Sequence, residues 1–323
     1  MRKAIILAGG FGTRLQPLTF ARPKHMLPLV DKPMLRHIVD YLIENDFEEI
    51  WISIGSNEVF KDIEEYFEKS DLEADIHFIK EPEKLGGVGA IKYAMKEAEI
   101  NDTFALILGD NITDIELNDM FLFHKKNSGI ATIALVCTET PWRYGVAELE
   151  EDNIIDFVEK PAIGEEPSNM IATGIYVMEP KIINYIPDEF MDSTGMLFPL
   201  LLKKGECLNG FRSEKFWVDV GRPSSYLEAT ARILKKYGKN NWVEDGVKIG
   251  KDTELKGPVA IYKGTEIGDN CIIKNSVIFQ DNKIGNNCHI TNSILDVGCE
   301  IGDGFNVTTT LGKGSILKKN GNN

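Results

Sequence analysis

Ile-Gly pairs recur near the end of this 323-residue chain at 249–250, 267–268, 284–285 and 301–302, at intervals of 18, 17 and 17 residues. Between them apolar residues fall at about every sixth position: Leu255, Ile261, Ile273, Phe279, Ile290, Leu295 and Val307. A fixed period leaves few folds open, because each repeat buries its apolar face only by stacking on the next. A step of six, tripled to about eighteen, predicts a parallel β-helix with triangular coils, and about four coils fit within 247–317. Cys271 and Cys288, in G-D-N-C and G-N-N-C, then stack inside as packing groups. Residues 238–246 read as a linker and 318–323 as a disordered tail.

Residues 1–237 follow a different pattern. KAIILA is a short continuous apolar run before glycines and reads as a first strand rather than a leader. Pro33 opens a helix as its first residue, with Met34, Leu35, Ile38, Val39, Leu42 and Ile43 at helical spacing. EIWISIG, ADIHFIK and TFALILGD read as strands, and VFKDIEEYFEK and VGAIKYAMKEA as the helices between them. This alternation predicts an α/β domain with a Rossmann-like, mostly parallel sheet, whose ligands bind beyond the carboxyl ends of the strands. Shorter strands follow from about residue 130, with two helices near 180–186 and 195–204. FWVDVGRPSSYLEATARILKKY reads as a last strand, a turn and a long amphipathic helix.

A net charge of −14 excludes general nucleic-acid binding, which needs a basic footprint. Yet residues 1–36 hold seven basic residues against Asp31, a local charge of +6 suited to a compact polyanion. No apolar run approaches the roughly 20 residues of a membrane helix. Five scattered cysteines without a C-x-x-C pair point to neither a disulfide framework nor a zinc site, and the expected compartment is the cytosol.

LAGGFGTRLQPLT, residues 7–19, fits neither the P-loop nor the dinucleotide fingerprint. Gly9, Gly10 and Gly12 let backbone amides turn inward as an anion nest, with Arg14 in reach and Lys24 ten residues on. LILGDN and FWVDVG place Asp110 and Asp219 at strand ends. Each alone also suits a cap or turn, but together with a phosphate nest they suit Mg²⁺, which takes one or two carboxylates and fills its octahedron with phosphate oxygens and water.

LAGGFGTRLQPLT followed by RPKHMLPLVDKPML resembles the signature of the sugar-1-phosphate nucleotidylyltransferases, and LGDN, YGVAEL, FVEKP, ATGIYV and FWVDVGRPSSYLEA follow in that family's order. The resemblance covers residues 1 to about 235 and implies a left-handed hand for the β-helix. It also implies Arg14, Lys24 and Asp110 as catalytic groups and Mg²⁺ on Asp110 and Asp219. The nucleotide site would comprise Leu7, Ala8, Gly9, Gly10, Gly12, Thr13, Arg14, Gly86, Gly87, Gly89 and Asp110. Sugar-phosphate contacts would come from Gly145, Glu159, Lys160, Thr173 and Gly174. In such a reaction the sugar-phosphate oxygen, largely dianionic near neutral pH, attacks the α-phosphorus without a general base.

LGDNI, VDKPM and TGIY look closer to glucose-1-phosphate thymidylyltransferases, and GGFGTRL, GGVGA and WVDVGRPSSYLEA closer to mannose-1-phosphate guanylyltransferases. The first expectation is transfer from dTTP or UTP to glucose-1-phosphate, with GTP and mannose-1-phosphate as the alternative. A catalytically silent NDP-sugar-binding regulatory subunit is the reading from another class; Arg14, Lys24, Asp110 and Asp219 together speak against it. The end of a short coil stack invites a second subunit, so a homo-oligomer is expected.

Overall fold

The computed structural model describes residues 2–57, 60–187 and 189–318, so the expected tail, apart from Lys318, lies outside the described residues. Contacts divide the chain into two units, residues 1–10 with 35–219 and residues 11–34 with 220–323. In chain order the strands up to residue 219 are β1 (Lys3–Leu7), β2 (Pro28–Leu29), β3 (Lys32–Pro33), β4 (Glu49–Gly55), β5 (Asp75–Glu81), β6 (Phe104–Leu108), β7 (Asn111–Thr113), β8 (Ala131–Cys137), β9 (Gly145–Glu150), β10 (Asn153–Glu159), β11 (Met170–Met178), β12 (Leu208–Arg212) and β13 (Trp217–Asp219). The helices are α1 (Met34–Glu44), α2 (Lys61–Glu68), α3 (Gly86–Glu97), α4 (Leu117–Asn127), α5 (Leu197–Lys203) and α6 (Pro223–Lys236).

The first unit is built on a nine-stranded sheet in the order β5-β4-β1-β6-β11-β8-β12-β10-β9. Strands β5, β4, β1 and β6 are parallel, as the alternation predicts. Beyond β6 the sheet is mixed rather than mostly parallel: β11 runs antiparallel to β6 and β8, and β10 antiparallel to β9 and β12. For β9 and β10 the reason is connection length, since the short turn between Glu150 and Asn153 permits only antiparallel neighbours. Val88, Ile91, Ala94 and Met95 on α3 pack onto Ile5, Leu106 and Ile133 of the sheet.

Several elements differ from the sequence expectation or were not expected, among them the strands β2, β3 and β7. Pro33 ends β3 in a two-strand hairpin with β2, and the helix begins one residue later at Met34. The supposed linker holds a strand, Asn241–Val243, paired parallel with Val259–Ile261. Helix α4 escaped notice because its inward stripe is only Leu117, Met120 and His124. Strand β12 is short and carries a central glycine.

In the second unit the repeat forms stacked parallel coils. Ile249, Ile267, Ile284, Ile301 and Leu317 stand in register, one per coil. The coils turn through left-handed backbone at Asp252, Asn270, Asn287 and Gly304, residue types that tolerate positive φ, which explains the G-D-N and G-N-N motifs. Behind each corner a side chain caps the coil below: the Asp269 amide donates to Asn286 Oδ1 at 2.8 Å and the Asn286 amide to Asp303 Oδ1 at 2.6 Å. Cys271 and Cys288 are buried, and each thiol donates to a carbonyl of the next coil, Gly285 and Gly302, at 3.1 Å.

The glycines of the first three Ile-Gly pairs, Gly250, Gly268 and Gly285, are required by this close stacking. A Cβ on Gly285 would stand 2.8 Å from the Asp303 amide nitrogen and 2.9 Å from the Gly302 carbonyl carbon, both backbone atoms that cannot swing aside. Gly285→Ala is therefore expected to cost about 2 kcal/mol of stability by overpacking, read as a lower urea midpoint with the m-value unchanged.

Candidate functional site

Parallel register brings several strand ends level. Leu7 pairs with Ser53 and Leu108, and Gly55 with Glu81. The Ala8 amide donates to the Ser53 carbonyl at 2.7 Å, and the Gly109 amide to the Leu7 carbonyl at 2.8 Å. Leu7, Ala8 and Gly9 thus leave β1 beside Gly109 and Asp110 on one flank and the end of β4 on the other, with the end of β5 next beyond it.

On that second flank stands a carboxylate that the motif reading missed. A Cβ on Gly9 would lie 3.0 Å from Glu81 Oε1, so the glycine backbone runs directly against this side chain. The Ser53 hydroxyl donates to Glu81 Oε1 at 2.9 Å. Burial raises the Glu81 pKa above the usual 4.5, outweighing the hydrogen bonds from Ser53 and the Leu85 amide that lower it. The signal was available: Glu81 ends an apolar strand, as Asp110 and Asp219 do.

Asp219 reaches the same region through pairing of β13 with β7, in which it stands opposite Asn111, the residue after Asp110. Two carboxylates are thereby brought to neighbouring positions from points far apart in the chain. Among the described residues no cluster of three or more His, Cys, Asp or Glu is placed to hold a metal. Two neighbouring carboxylates, being hard oxygen donors, suit magnesium, which fills the rest of its shell with phosphate oxygens and water.

The expected sugar-phosphate residues gather nearby in the first unit. The Asn111 side chain donates to the Gly174 carbonyl at 3.4 Å, and the Trp217 indole donates to Asn111 Oδ1 at 3.2 Å and to the Thr173 carbonyl at 2.8 Å. Burial pushes the Tyr176 phenol up, and the negative charges of Glu159 and Asp110 push it the same way. Thr173 is 1% exposed and its hydroxyl donates to the Ala134 carbonyl at 2.9 Å. Its side chain is committed to the sheet and is not offered to a ligand.

Glu159 is held by groups the motifs did not name. The Ser193 hydroxyl donates to its Oε1 at 2.6 Å, and Lys160, largely exposed, places Nζ 3.4 Å from the same oxygen. Gly145 is its register partner, and a Cβ there would lie 2.8 Å from Glu159 Oε2. A Cβ on Gly195 would overlap that oxygen outright.

Gly86 and Gly87, expected at the nucleotide, meet the segment 190–194 at close range. The Gly87 amide donates to the Asp192 carbonyl at 2.9 Å, so it is spent within the protein. Gly89 is half-buried on α3. Gly10 is exposed at the end of the first segment of this unit.

Gly12, Thr13, Arg14 and Lys24 belong to the second unit. Gly12 has φ +67, and a Cβ on it would lie 2.8 Å from Lys24 Cβ, so only glycine lets the loop lie on the lysine stem. The Thr19 hydroxyl donates to the Gly12 carbonyl at 2.9 Å and ties the turn Thr13–Leu15 back on itself. Arg14 is exposed and Lys24 half-buried.

Similarity agrees with these observations. The family model described as nucleotidyl transferase matches residues 3–236, and that described as GMPPB C-terminal domain matches residues 237–320. A putative mannose-1-phosphate guanyltransferase of Sulfolobus acidocaldarius is 30% identical over 86% of this chain and 76% of its own length. A UTP–glucose-1-phosphate uridylyltransferase of Synechocystis is 32% identical over 86% of this chain and 83% of its own. Among solved structures, a putative glucose-1-phosphate thymidylyltransferase from Bacillus anthracis superposes with a TM-score of 0.63 at 29% identity, over 72% of this chain and 95% of its own.

A stability prediction follows from Glu81. Its raised pKa means that the folded state holds the proton to a higher pH than the unfolded chain does. The stabilisation present below pH 4.5 is therefore lost as pH rises through the folded pKa. Glu81→Gln, neutral throughout, is expected to melt above the wild type at pH 7.5 and to lose that advantage by pH 4.5, as calorimetry at the two pH values would record.

Proposed function

Since the chain belongs to the nucleotidyl transferase family, and within it to the sugar-1-phosphate nucleotidylyltransferases, we propose that it transfers the guanylyl group of GTP to mannose-1-phosphate and releases pyrophosphate. The observation that carries the base is the Glu81 carboxylate against Gly9. An ionised carboxylate only accepts hydrogen bonds. Guanine presents two adjacent donors, N1–H and N2–H, which one carboxylate takes bidentately. Uracil and thymine present a single N–H between two carbonyl oxygens, which a carboxylate repels. Ser53 and Leu85 hold the acceptor in place, and a base donating to it offsets the burial cost that raises its pKa. The sugar rests on the Sulfolobus relative and on the match of residues 237–320 to the GMPPB C-terminal domain. This reading reverses the order of the two substrate pairs drawn from the motifs.

In the proposed reaction the exposed Arg14 and the half-buried Lys24 bind the triphosphate and stabilise the charge that develops on pyrophosphate. Glu159, fixed by Ser193, accepts from sugar hydroxyls, and Lys160 meets the sugar phosphate as a point charge. Asp110 and Asp219 would hold Mg²⁺, which supplies charge neutralisation and in-line alignment when bound. The sugar phosphate brings its own nucleophilic oxygen, so no side chain has to remove a proton. The meeting of the two family models at 236 and 237 supports a catalytic domain of 1–237 followed by the coils, whose hand we take as left-handed, as in the family. Free thiols at all five cysteines suit the cytosol, and no described helix is long and apolar enough to cross a membrane. A homo-oligomer through the end of the coil stack is part of the same proposal.

The test is pyrophosphate release with Mg²⁺, crossing GTP, dTTP, UTP, ATP and CTP with mannose-1-phosphate and glucose-1-phosphate. Release is expected with GTP and mannose-1-phosphate and is expected to fall about 100-fold or more in Asp110→Ala. A preference for dTTP or UTP would overturn the base assignment. Glu81→Gln is expected to cut the preference for GTP over UTP by ~1–3 kcal/mol, the worth of one bidentate contact. Gly195→Ala, which displaces only the flexible end of Glu159, is expected to raise the KM for the sugar phosphate about 10-fold with little change in Tm.

A further inference from the structure

The segment that carries Arg14 and Lys24 is anchored to residues near the other end of the chain. Arg22 Nη2 lies 2.8 Å from Asp296 Oδ1, a pair separated by 274 residues, with side-chain exposures of 18% and 3%. Asp296 follows the coil strand Ile294–Leu295, and its Oδ1 also accepts the Val297 amide at 2.8 Å. The Arg22 guanidinium stands 5.5 Å from the centroid of the fully buried Phe279 ring. Phe279 in turn meets Tyr226 and Tyr262 edge-on at 6.2 and 5.7 Å.

Further contacts bracket the same segment. The Tyr226 hydroxyl, on α6, donates to the Pro28 carbonyl, and the Tyr237 hydroxyl donates to Asp31 Oδ1 at 3.0 Å. Pro17 lies so close to the last coils that a Cβ on Gly312 would come within 2.9 Å of it. Between Pro28 and Asp31, Val30 is fully buried with φ +68, backbone that a β-branched residue adopts only where its surroundings impose it.

We propose that the Arg22–Asp296 pair is a positioning device for the proposed reaction, through which the coil stack fixes the backbone that presents Arg14 and Lys24 to the triphosphate. Arg22 lies two residues from Lys24 and eight from Arg14, on the one stretch that joins them. A buried ion pair adds little net stability against an apolar replacement, but it specifies one arrangement of the groups it joins. The coil stack then has a catalytic task independent of assembly. The inference rests on the reading of Arg14 and Lys24 as phosphate ligands and not on the choice of base or sugar.

The test uses the full chain and inorganic tripolyphosphate with Mg²⁺, a probe without base or sugar, titrated calorimetrically against wild type, Arg22→Gln, Asp296→Asn, the double variant and Arg22→Lys. The double variant leaves no unpaired buried charge and keeps the question open should a single variant fail to fold. Each single variant and the double variant are expected to bind about 10-fold more weakly, non-additively, while Arg22→Lys keeps most of the affinity. In turnover with whichever triphosphate the wild type accepts, the KM for that triphosphate rises and the KM for the sugar phosphate does not. Affinity within twofold of wild type in a folded double variant, whatever its Tm, would overturn the proposal. Failure of the wild type itself to bind tripolyphosphate would overturn it together with the phosphate role of Arg14 and Lys24. A base preference other than guanine would leave it standing.

Discussion

Parallel pairing sets Leu7 level with both Ser53 and Leu108, and what the first unit offers a ligand follows from that alignment. Because β1, β4, β5 and β6 run the same way, their carboxyl ends finish at one edge, where backbone amides and terminal side chains are no longer claimed by the ladder. Glycine at 9 leaves room for Glu81, and glycine at 109 lets the Leu7 carbonyl approach where a Cβ would come within 2.9 Å of it. The switch to antiparallel β11 beside β6 then brings Thr173 and Gly174 to Asn111, next to Asp110.

The consequence is a concentration of acid in the first unit. Glu159 and Asp110 both act on Tyr176, Asp219 stands across from Asn111, and Glu81 is partly desolvated beside Gly9. Such an arrangement suits anionic substrates only if each carboxylate has a defined task. In the proposed reaction two of them, as neighbours, would hold a divalent cation, one would face a base that donates, and one would accept from sugar hydroxyls. For two of them the cost of gathering is moderated by hydroxyl donors, Ser53 for Glu81 and Ser193 for Glu159.

The coil stack works by different physics. Its isoleucine ladder, its left-handed asparagines and its glycines repeat one solution at every turn, so its stability is a sum of like interfaces. Against that uniformity the exceptions carry information. Asp296, in the loop after Ile294–Leu295, turns its carboxylate to Arg22 instead of capping a neighbouring coil as Asp269 and Asp303 do.

The sequence by itself determined the coils, the alternation of strands and helices through β6, and the strand-end positions of Gly9, Asp110 and Asp219. All of these are local or periodic, and a pattern of apolar spacing and turn residues specifies them without reference to distant parts of the chain. Helix α4 and strand β12 were not legible because their inward faces are too sparse to set a period. Only the tertiary structure decided that Glu81 meets Gly9, that the Thr173 hydroxyl is spent on Ala134, that Gly145, Ser193 and Gly195 seat Glu159, and that Arg22 closes on Asp296. Each of these depends on which strand lies beside which and in what register. Register is fixed by the burial of whole faces at once, a property of the assembled sheet and coils that no short stretch of residues contains.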